Sequence, residues 1–323
     1  MRLKLVCAVL GALAAWSTGL HAQTYPSRPV KVITPFPAGS GPDAALRLVA
    51  DRLTKSWGKP LVIENRPGAN GFIALGTAKS AAPDGYILAQ ASSAQLSTHR
   101  LVYKSLPYDP AKDFEPITPL FRNYFFVVVP AASRWMSMTD LVSAAKAKPK
   151  GLAYGSEFIG SPGHLGAALL EAATGTQMTH VPFKETTQLF TAVGTGDIHW
   201  AFGTAGTAGA AIRSGKARFL ALAAPLRLPA FPDVPTVTEA GGPIGFELAA
   251  WTGMLAPKGT PGAIVEQLNR DIAKALADAE VRERFSAFGY DAWPLSPAGT
   301  AAAIDADVRR YADIVKRLNL QLD

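Results

Sequence analysis

The sequence predicts an α/β fold built on largely parallel sheets. Apolar strands alternate with helical segments from residue 30 onward, at the spacing of βαβ units. A short strand also leads through a loop of small residues into a helix start twice, at residues 30–43 and again at residues 152–170. The chain has 323 residues and 48% of them are apolar, so its length suits about two domains with separate cores.

The charge pattern argues against a nucleic-acid partner. The formal net charge is +7, but the Lys and Arg residues are scattered and form no basic run with interleaved aromatic residues. Nucleic-acid binders instead concentrate positive charge on one face or along one helix. We therefore expect no nucleic-acid binding.

The first 22 residues have the pattern of a signal peptide. A charged start precedes an apolar stretch at residues 5–15, and the sequence LHA at residues 20–22 loosely fits the small-residue cleavage rule. The alternative, a membrane anchor, is less favoured because the apolar stretch is too short to span a bilayer. Cleavage would remove Cys7, the only cysteine, and lower the net charge of +7 by two. We expect a periplasmic protein that needs no disulfide at this size.

The stretch from Val30 to Asp43 predicts a strand, a loop of small residues and a helix start. The strand breaks at Pro35, and Pro42 is expected at the first helical position, where a missing N–H has no consequence. Unpaired N–H groups and the positive end of the helix dipole could hold an anion there. The alternative is that the glycines only make a tight turn. The loop matches neither a dinucleotide fingerprint nor a P-loop.

Asp43, near the start of that helix, has two possible roles. Its carboxylate would stabilise the helix dipole by about 0.3–1 kcal/mol. Alternatively, it would orient the loop or accept a hydrogen bond from a ligand's hydroxyl or amine. Arg47 follows at the i, i+4 spacing, and we expect a surface pair of little energetic value.

A second unit of the same kind follows in the middle of the chain. A short strand at residues 152–154 leads into a small-residue loop at 155–163, where Ser161 is expected to cap a helix and Pro162 to take its first position. Two such loops would face each other across a cleft.

The remaining elements are predicted from apolar runs and helix caps. Further strands are expected at residues 61–64, 86–90, 125–129, 180–184, 197–202, 217–223 and 251–257. Helices are expected from about Phe72, from the cap Thr139, and after the Thr260–Pro261 and Ser296–Pro297 pairs. Because ligands in parallel sheets bind beyond the carboxyl ends of the strands, the loops at 36–43, 65–71 and 91–95 should share one edge.

The sequence offers little support for catalysis or metal binding. The four histidines after the signal peptide are not at ligand spacing on one helix, and no cysteine remains beside them. Ser161 and His164 could suggest a hydrolytic pair, but the Gly-x-Ser-x-Gly motif is absent and a capping role is favoured. We expect no catalytic residue, no metal and no cofactor.

An ordered set of motifs resembles the Bug family, the periplasmic solute-binding subunits of tripartite tricarboxylate transporters. In the first part of the chain the motifs are PFPAGSGPD at 35–43 with Arg47, NRPGANG at 65–71, PDGY at 83–86 and DFEPI at 113–117. In the second part they are GSPGHL at 160–165, HVPFK at 180–184, GKARFLAL at 215–222, VPTVTEAG at 234–241 and WTGMLAP at 251–257. The resemblance covers essentially the whole mature chain.

This resemblance implies a two-domain α/β clamp of the type II periplasmic-binding-protein kind, with a ligand cleft between the domains. Residues 23–122 and 250–323 would form domain 1, and residues 123–249 domain 2. Family ligands are small di- or tricarboxylates, amino acids and aromatic acids. The implied partners are the ligand and the transmembrane transporter subunits, and we expect a monomer. Alternatives are a ligand sensor for a membrane signalling protein and, less favoured, a periplasmic acyl hydrolase.

The resemblance also implies which positions contact the ligand, with backbone N–H groups of the two loops holding its carboxylate. The predicted ligand-binding residues are Phe36, Pro37, Ala38, Gly39, Ser40, Asp43, Asn70, Ser92, Ser93, Ser156, Gly160, Ser161, His164, Phe183, Lys184 and Thr204.

Several positions depart from the family pattern. Ser40 and Glu185 replace glycines, and we expect Glu185 to point away from the cleft. The second loop is bulkier than usual, with EFI at residues 157–159. An acidic residue usually found after the strand at 197–202 is absent, which argues against an amine ligand. The aromatic residues Phe158, Phe183 and Trp251 could instead favour an aromatic or hydrophobic acid.

Overall fold

The computed structural model describes residues 25–157, 159–183 and 185–321. The predicted signal peptide, Phe158 and Lys184 lie outside these residues. The elements up to residue 124 are β1 (Val30–Thr34), α1 (Gly41–Trp57), β2 (Leu61–Asn65), α2 (Phe72–Lys79), β3 (Ile87–Ser92), α3 (Ser93–Leu96), α4 (His99–Val102), α5 (Pro110–Asp113) and β4 (Phe114–Tyr124). A short 3-10 turn, Ala69–Gly71, precedes α2.

The later elements form a second sheet and then return to the first. They are β5 (Phe126–Pro130), α6 (Met138–Ala147), β6 (Ala153–Ser156), α7 (Pro162–Thr174), β7 (Thr179–Pro182), α8 (Thr186–Thr195), β8 (Trp200–Gly203), α9 (Ala205–Arg213), β9 (Ala217–Leu222), β10 (Ala249–Pro257), α10 (Gly262–Ala277), α11 (Ala279–Ala287), β11 (Tyr290–Ala292) and α12 (Pro297–Arg317). The strands β4 and β11, the short helices α3 to α5 and the helices α8, α9 and α11 were not predicted.

The strands form two mixed sheets. The first has the order β11-β4-β10-β3-β1-β2 and the second β7-β6-β8-β5-β9. β1 is parallel to β2 and β3, and β6 is parallel to β7 and β8, as predicted. The prediction of largely parallel sheets is wrong for β4, β5, β9, β10 and β11, whose pairings are antiparallel. The reason is that β4 and β10 carry the chain between the sheets in opposite directions.

Helices cover both faces of each sheet. On one face of the first sheet, Leu46, Val49 and Leu53 of α1 pack with residues of α10 and α11. The opposite face is covered by α2 and α12. The second sheet has α6 and α7 on one face and α8 and α9 on the other. This gives a two-domain α/β clamp, since each sheet has its own helical layers and apolar clusters.

The C-terminal helix α12 contacts both halves. Tyr311 of α12 packs with Leu165 and Ala168 of α7, and the Arg317 side chain donates a hydrogen bond of 2.9 Å to the carbonyl of Ala168. The last helix therefore braces α7 against the first domain. In the part of the chain that the structure describes, no helix is both long and apolar enough to cross a membrane.

Three predicted helix starts are wrong in detail. α1 begins at Gly41, so Pro42 is not the first residue of the helix. α6 is capped by Ser137 rather than Thr139, because the Ser137 hydroxyl accepts the Asp140 N–H at 3.1 Å. The Thr260 hydroxyl bonds to a carbonyl instead of capping α10. The caps Ser161 and Ser296 are confirmed, since each accepts an N–H from its helix.

Candidate ligand-binding site

The first loop, residues 36–43, is tied back onto the start of α1. Gly39 has φ +79°, and its N–H donates to the Asp43 carboxylate at 2.8 Å. The Ser40 hydroxyl donates to the carbonyl of Pro37 at 2.7 Å. A side chain at Gly39 would be strained in this left-handed conformation, so glycine is required by the turn itself.

Asp43 is fully buried and is the anchor of the first loop. Its carboxylate accepts hydrogen bonds from two Arg47 nitrogens at 2.9 and 3.0 Å, from the Asn65 amide at 2.7 Å and from Gly39. Burial alone would raise the pKa of this carboxyl, but these hydrogen bonds outweigh it and hold the pKa below its ordinary value. Of the roles considered for Asp43, the contacts support orienting the loop.

The pair between Asp43 and Arg47 is more than the surface pair that the spacing predicts. The guanidinium binds both oxygens of a buried carboxylate and also donates to the Asn65 side chain at 3.1 Å. A bidentate bond of this kind holds geometry as well as charge.

Most amides of the first loop are already used within the protein. The N–H groups of Phe36, Gly39 and Ser40 donate to Thr34, Asp43 and Pro37 respectively. The N–H groups of Ala38 and Gly41 make no hydrogen bond to any residue that the structure describes. The amides available to an anion are thus fewer than the resemblance implied.

Two buried polar residues beneath the loop were not predicted. The Thr34 hydroxyl donates to the Gln90 side chain at 2.7 Å, and the Gln90 amide donates to the carbonyl of Pro42 at 3.2 Å. Both side chains are fully buried. The sequence pattern that could have predicted them is a polar residue near the end of each of two apolar strands, Thr34 in β1 and Gln90 in β3.

A second network joins Asn70 to Ser92 and Ser93 at the end of β3. The Gln95 side chain accepts the Ser92 N–H at 2.8 Å and donates to the carbonyl of Asn70 at 3.0 Å, while the Ser92 hydroxyl accepts the Gln95 N–H. A Cβ at Gly71 would lie 1.9 Å from the Gln95 amide nitrogen. Ser93 is buried, and its hydroxyl accepts the Trp251 N–H at 3.3 Å. The structure therefore brings Asn70, Ser92 and Ser93 onto one edge, as predicted.

The second loop, at residues 155–163, is held by histidines. Ser156 is fully buried and its hydroxyl is hydrogen-bonded to Nε2 of His180 at 2.7 Å. The Gly160 N–H donates to Nδ1 of His164 at 3.0 Å. The two imidazoles are stacked, with ring centroids 3.9 Å apart. Ser156 and Gly160 are thus each bonded to one member of a stacked pair of imidazoles.

Both imidazoles favour the neutral form. Burial lowers the pKa of His164, and burial together with the charge of His164 lowers the pKa of His180 to about 4. A neutral ring is needed for Nδ1 of His164 to accept the Gly160 N–H. The Ser161 hydroxyl accepts the His164 N–H at 3.3 Å, so these two residues form a helix cap and not a nucleophile–base pair.

Three predicted aromatic and polar residues have structural contacts. Thr204 caps α9 in a reciprocal arrangement with Thr207. The Phe183 ring is half-buried and would lie 3.3 Å from a Cβ at Gly155. Trp251 is 3% exposed and donates from its indole to Asp307 at 2.9 Å, so its proposed place in the ligand surface is wrong.

Contacts within the first domain and between the two domains link several helix starts. Ser93 at the start of α3 and Pro162 at the start of α7 line the same small cavity. A Cβ at Gly41 would meet the Tyr290 hydroxyl, and a Cβ at Gly289 would meet Ala205 at the start of α9. The starts of α1, α7 and α9, each a helix of at least two turns, follow the carboxyl end of a strand. Such helix ends present N–H groups and positive dipole ends, which favour an anion.

The fold and these converging helix starts define a two-domain binding protein of the clamp type. Residues 45–320 match the model of the tripartite tricarboxylate transporter family receptor, and the chain belongs to this family. Its members are solute-binding receptors, not enzymes. The predicted family and fold are thereby confirmed.

Relatives and solved structures agree along almost the whole chain. Protein BugT of Bordetella pertussis is 34% identical over 99% of this chain and 98% of its own length. An R. palustris protein with adipate has a TM-score of 0.79 and 31% identity, covering 92% of this chain and 100% of that one. MatC from Rhodopseudomonas palustris with bound malate has a TM-score of 0.72 and 31% identity, covering 90% and 100%.

Proposed function

We propose that this protein is a periplasmic receptor that captures a small carboxylate between its domains and presents it to the transmembrane subunits of a tripartite tricarboxylate transporter. The observation that carries the proposal is the convergence of helix starts from both domains. Adipate and malate in the similar R. palustris structures support a carboxylate ligand. The N-terminal segment supports export to the periplasm and cleavage near residue 22.

The proposed domain boundaries follow the sheets. The first sheet contains strands on either side of residues 123–249, and the second sheet lies wholly within that range. The crossings at Tyr124–Phe126 and before Ala249 are then the hinge, and ligand binding closes the two loops towards each other. We keep a monomer as the working state.

The test is a ligand screen on the mature protein. Di- and tricarboxylates, amino acids, aromatic acids and monocarboxylates are added singly, and unfolding is followed by thermal shift. A ligand at 100 times its Kd stabilises the protein by about 2.7 kcal/mol, which is about 5 °C for a chain of this size. Native mass spectrometry of the purified protein identifies a ligand carried through purification. A screen in which no carboxylate shifts the melting temperature would contradict the proposal.

A matched pair of variants tests the place of binding. Gly39 and Gly58 lie near the two ends of α1, both with positive φ and with no atom within 4 Å of an added Cβ. Gly39→Ala and Gly58→Ala should each cost about 1–2 kcal/mol of stability. Only Gly39→Ala should weaken carboxylate binding, by at least about tenfold, because only that residue shapes the first loop.

A further inference from the structure

The second loop contains an acidic side chain that bends back onto the start of α7. Glu157 directly follows β6, and its Oε2 would lie 3.3 Å from a Cβ at Gly163 in the first turn of that helix. The Ser161 hydroxyl and the N–H of Glu157 itself interact with the carboxyl and favour its charged form. The carboxyl therefore lies at the helix end, where an incoming anion would otherwise bind.

One oxygen of this carboxyl lacks a donor. Oε2 is buried and makes no hydrogen bond to any residue in the described part of the chain. Burial raises the pKa of the Glu157 carboxyl, against the effect of its hydrogen bonds. A buried oxygen without a donor carries a desolvation cost that a donor from a bound molecule would remove.

In the first loop, the buried carboxylate of Asp43 has its hydrogen-bond donors, unlike that of Glu157. All four hydrogen bonds to Asp43 come from the protein, and the amides of Ala38 and Gly41 remain available to an anion. At the start of α7, by contrast, the carboxyl of Glu157 occupies the position where an anion would bind, and its Oε2 lacks a hydrogen-bond donor. The first loop is thus suited to a carboxylate, whereas the start of α7 opposes one.

We propose that Glu157 determines the ligand class: a small acid with a single carboxylate, bound at the first loop, whose other end has no negative charge and donates a hydrogen bond to Glu157. A second carboxylate at that end is disfavoured by repulsion and by the absence of a donor. Ile159, two residues further on, is 44% exposed and adds an apolar surface beside that end of the ligand. This inference rests on the proposed function.

The test compares pairs of acids that differ only at one end. The probes are succinate against 4-hydroxybutanoate, adipate against 6-hydroxyhexanoate, and terephthalate against 4-(hydroxymethyl)benzoate, with affinities from titration calorimetry at pH 7.5. In the unaltered protein, the hydroxy acid of each pair should bind at least about tenfold more tightly than the matching diacid. In Glu157→Gln, whose amide can donate to a carboxylate, that preference should fall by about tenfold or more.

Two control variants distinguish the effect of Glu157 from the effects of a changed net charge and of a less stable fold. Asp197→Asn removes one charge from an exposed residue before β8, at the opposite end of that strand from Thr204, and should leave the preference unchanged. If Glu157→Gln unfolds at lower temperature than the parent, Glu157→Gly provides a second variant with the same expected loss of preference.

The outcomes distinguish the two proposals. Two results would overturn the assignment of Glu157 and leave the receptor proposal intact. The first is that the protein binds the diacids as tightly as the hydroxy acids or more tightly. The second is that the preference for hydroxy acids is unchanged in the Glu157 variants. Absence of binding by every acid in the wider screen and in these pairs overturns the receptor proposal itself.

Discussion

The two loops of the cleft share one backbone design but are stabilised by opposite chemistry. Each follows a parallel strand, passes through glycine and serine, and enters a helix next to a proline. The first is held by an ionised carboxylate with a guanidinium partner, whereas the second is held by two neutral imidazoles. Two loops with the same backbone shape should therefore respond differently to acid and to mutation.

The largest expected effect is at the charged anchor of the first loop. Asp43→Asn replaces an acceptor with an amide that faces the donors of Arg47 and Asn65. Buried donors that lose their acceptor cost about 1–3 kcal/mol, so we expect a loss of about 2–3 kcal/mol in the free energy of unfolding, measured in urea. Asp51→Asn, at an exposed position of the same helix, should change it by less than about 0.5 kcal/mol. Equal losses in both variants would contradict the anchoring role.

The sequence predicted the local features of both loops well. Ser161 as a cap, the break after β1 and the neighbouring prolines depend on a few adjacent residues, and propensities describe these reliably. The value of the Asp43–Arg47 pair was underestimated because the burial of Asp43 also depends on Asn65, which belongs to another strand.

What the sequence could not predict depends on pairing between distant segments. Thr34 meets Gln90 only because β1 and β3 pair in the register that sets Ile33 beside Ala89. The stacking of His164 on His180 likewise requires α7 to lie against the edge of the second sheet. A bulky second loop was recognised, but the bend of Glu157 onto α7 was not, since it depends on space left by Gly163.

Acid should affect the two loops in different pH ranges. A histidine whose pKa is lowered on folding binds its proton more readily when unfolded, so stability falls as the pH drops from about 6.5 towards 4. Asp43, whose pKa is also lowered, loses its contribution only as the pH falls below its ordinary value of 3.8. Glu157 has a raised pKa and acts in the opposite direction, since its contribution is lost as the pH rises above 4.5.

The measurement is urea unfolding between pH 7.5 and 4.5 for the parent and for His180→Gln. Because His180 is partly exposed, we expect the parent to lose about 1–2 kcal/mol more than the variant over this range. Burial also lowers the pKa of His99 to about 4. The contribution of His99 is the same in both proteins, so it cancels when the loss in the variant is subtracted from the loss in the parent. Parallel pH curves for the two proteins would contradict a neutral imidazole brace in the second loop.

The smallest expected effect compares the two capping serines directly. Ser40 and Ser161 have nearly the same backbone angles, but only the Ser161 hydroxyl accepts an N–H from its helix, while Ser40 donates to the exposed Pro37 carbonyl. Ser161→Ala should therefore cost about 1 kcal/mol of unfolding free energy and Ser40→Ala about 0.5 kcal/mol or less. The reverse order would mean that the Ser40 turn, and not the Ser161 cap, is the stronger local constraint on the cleft.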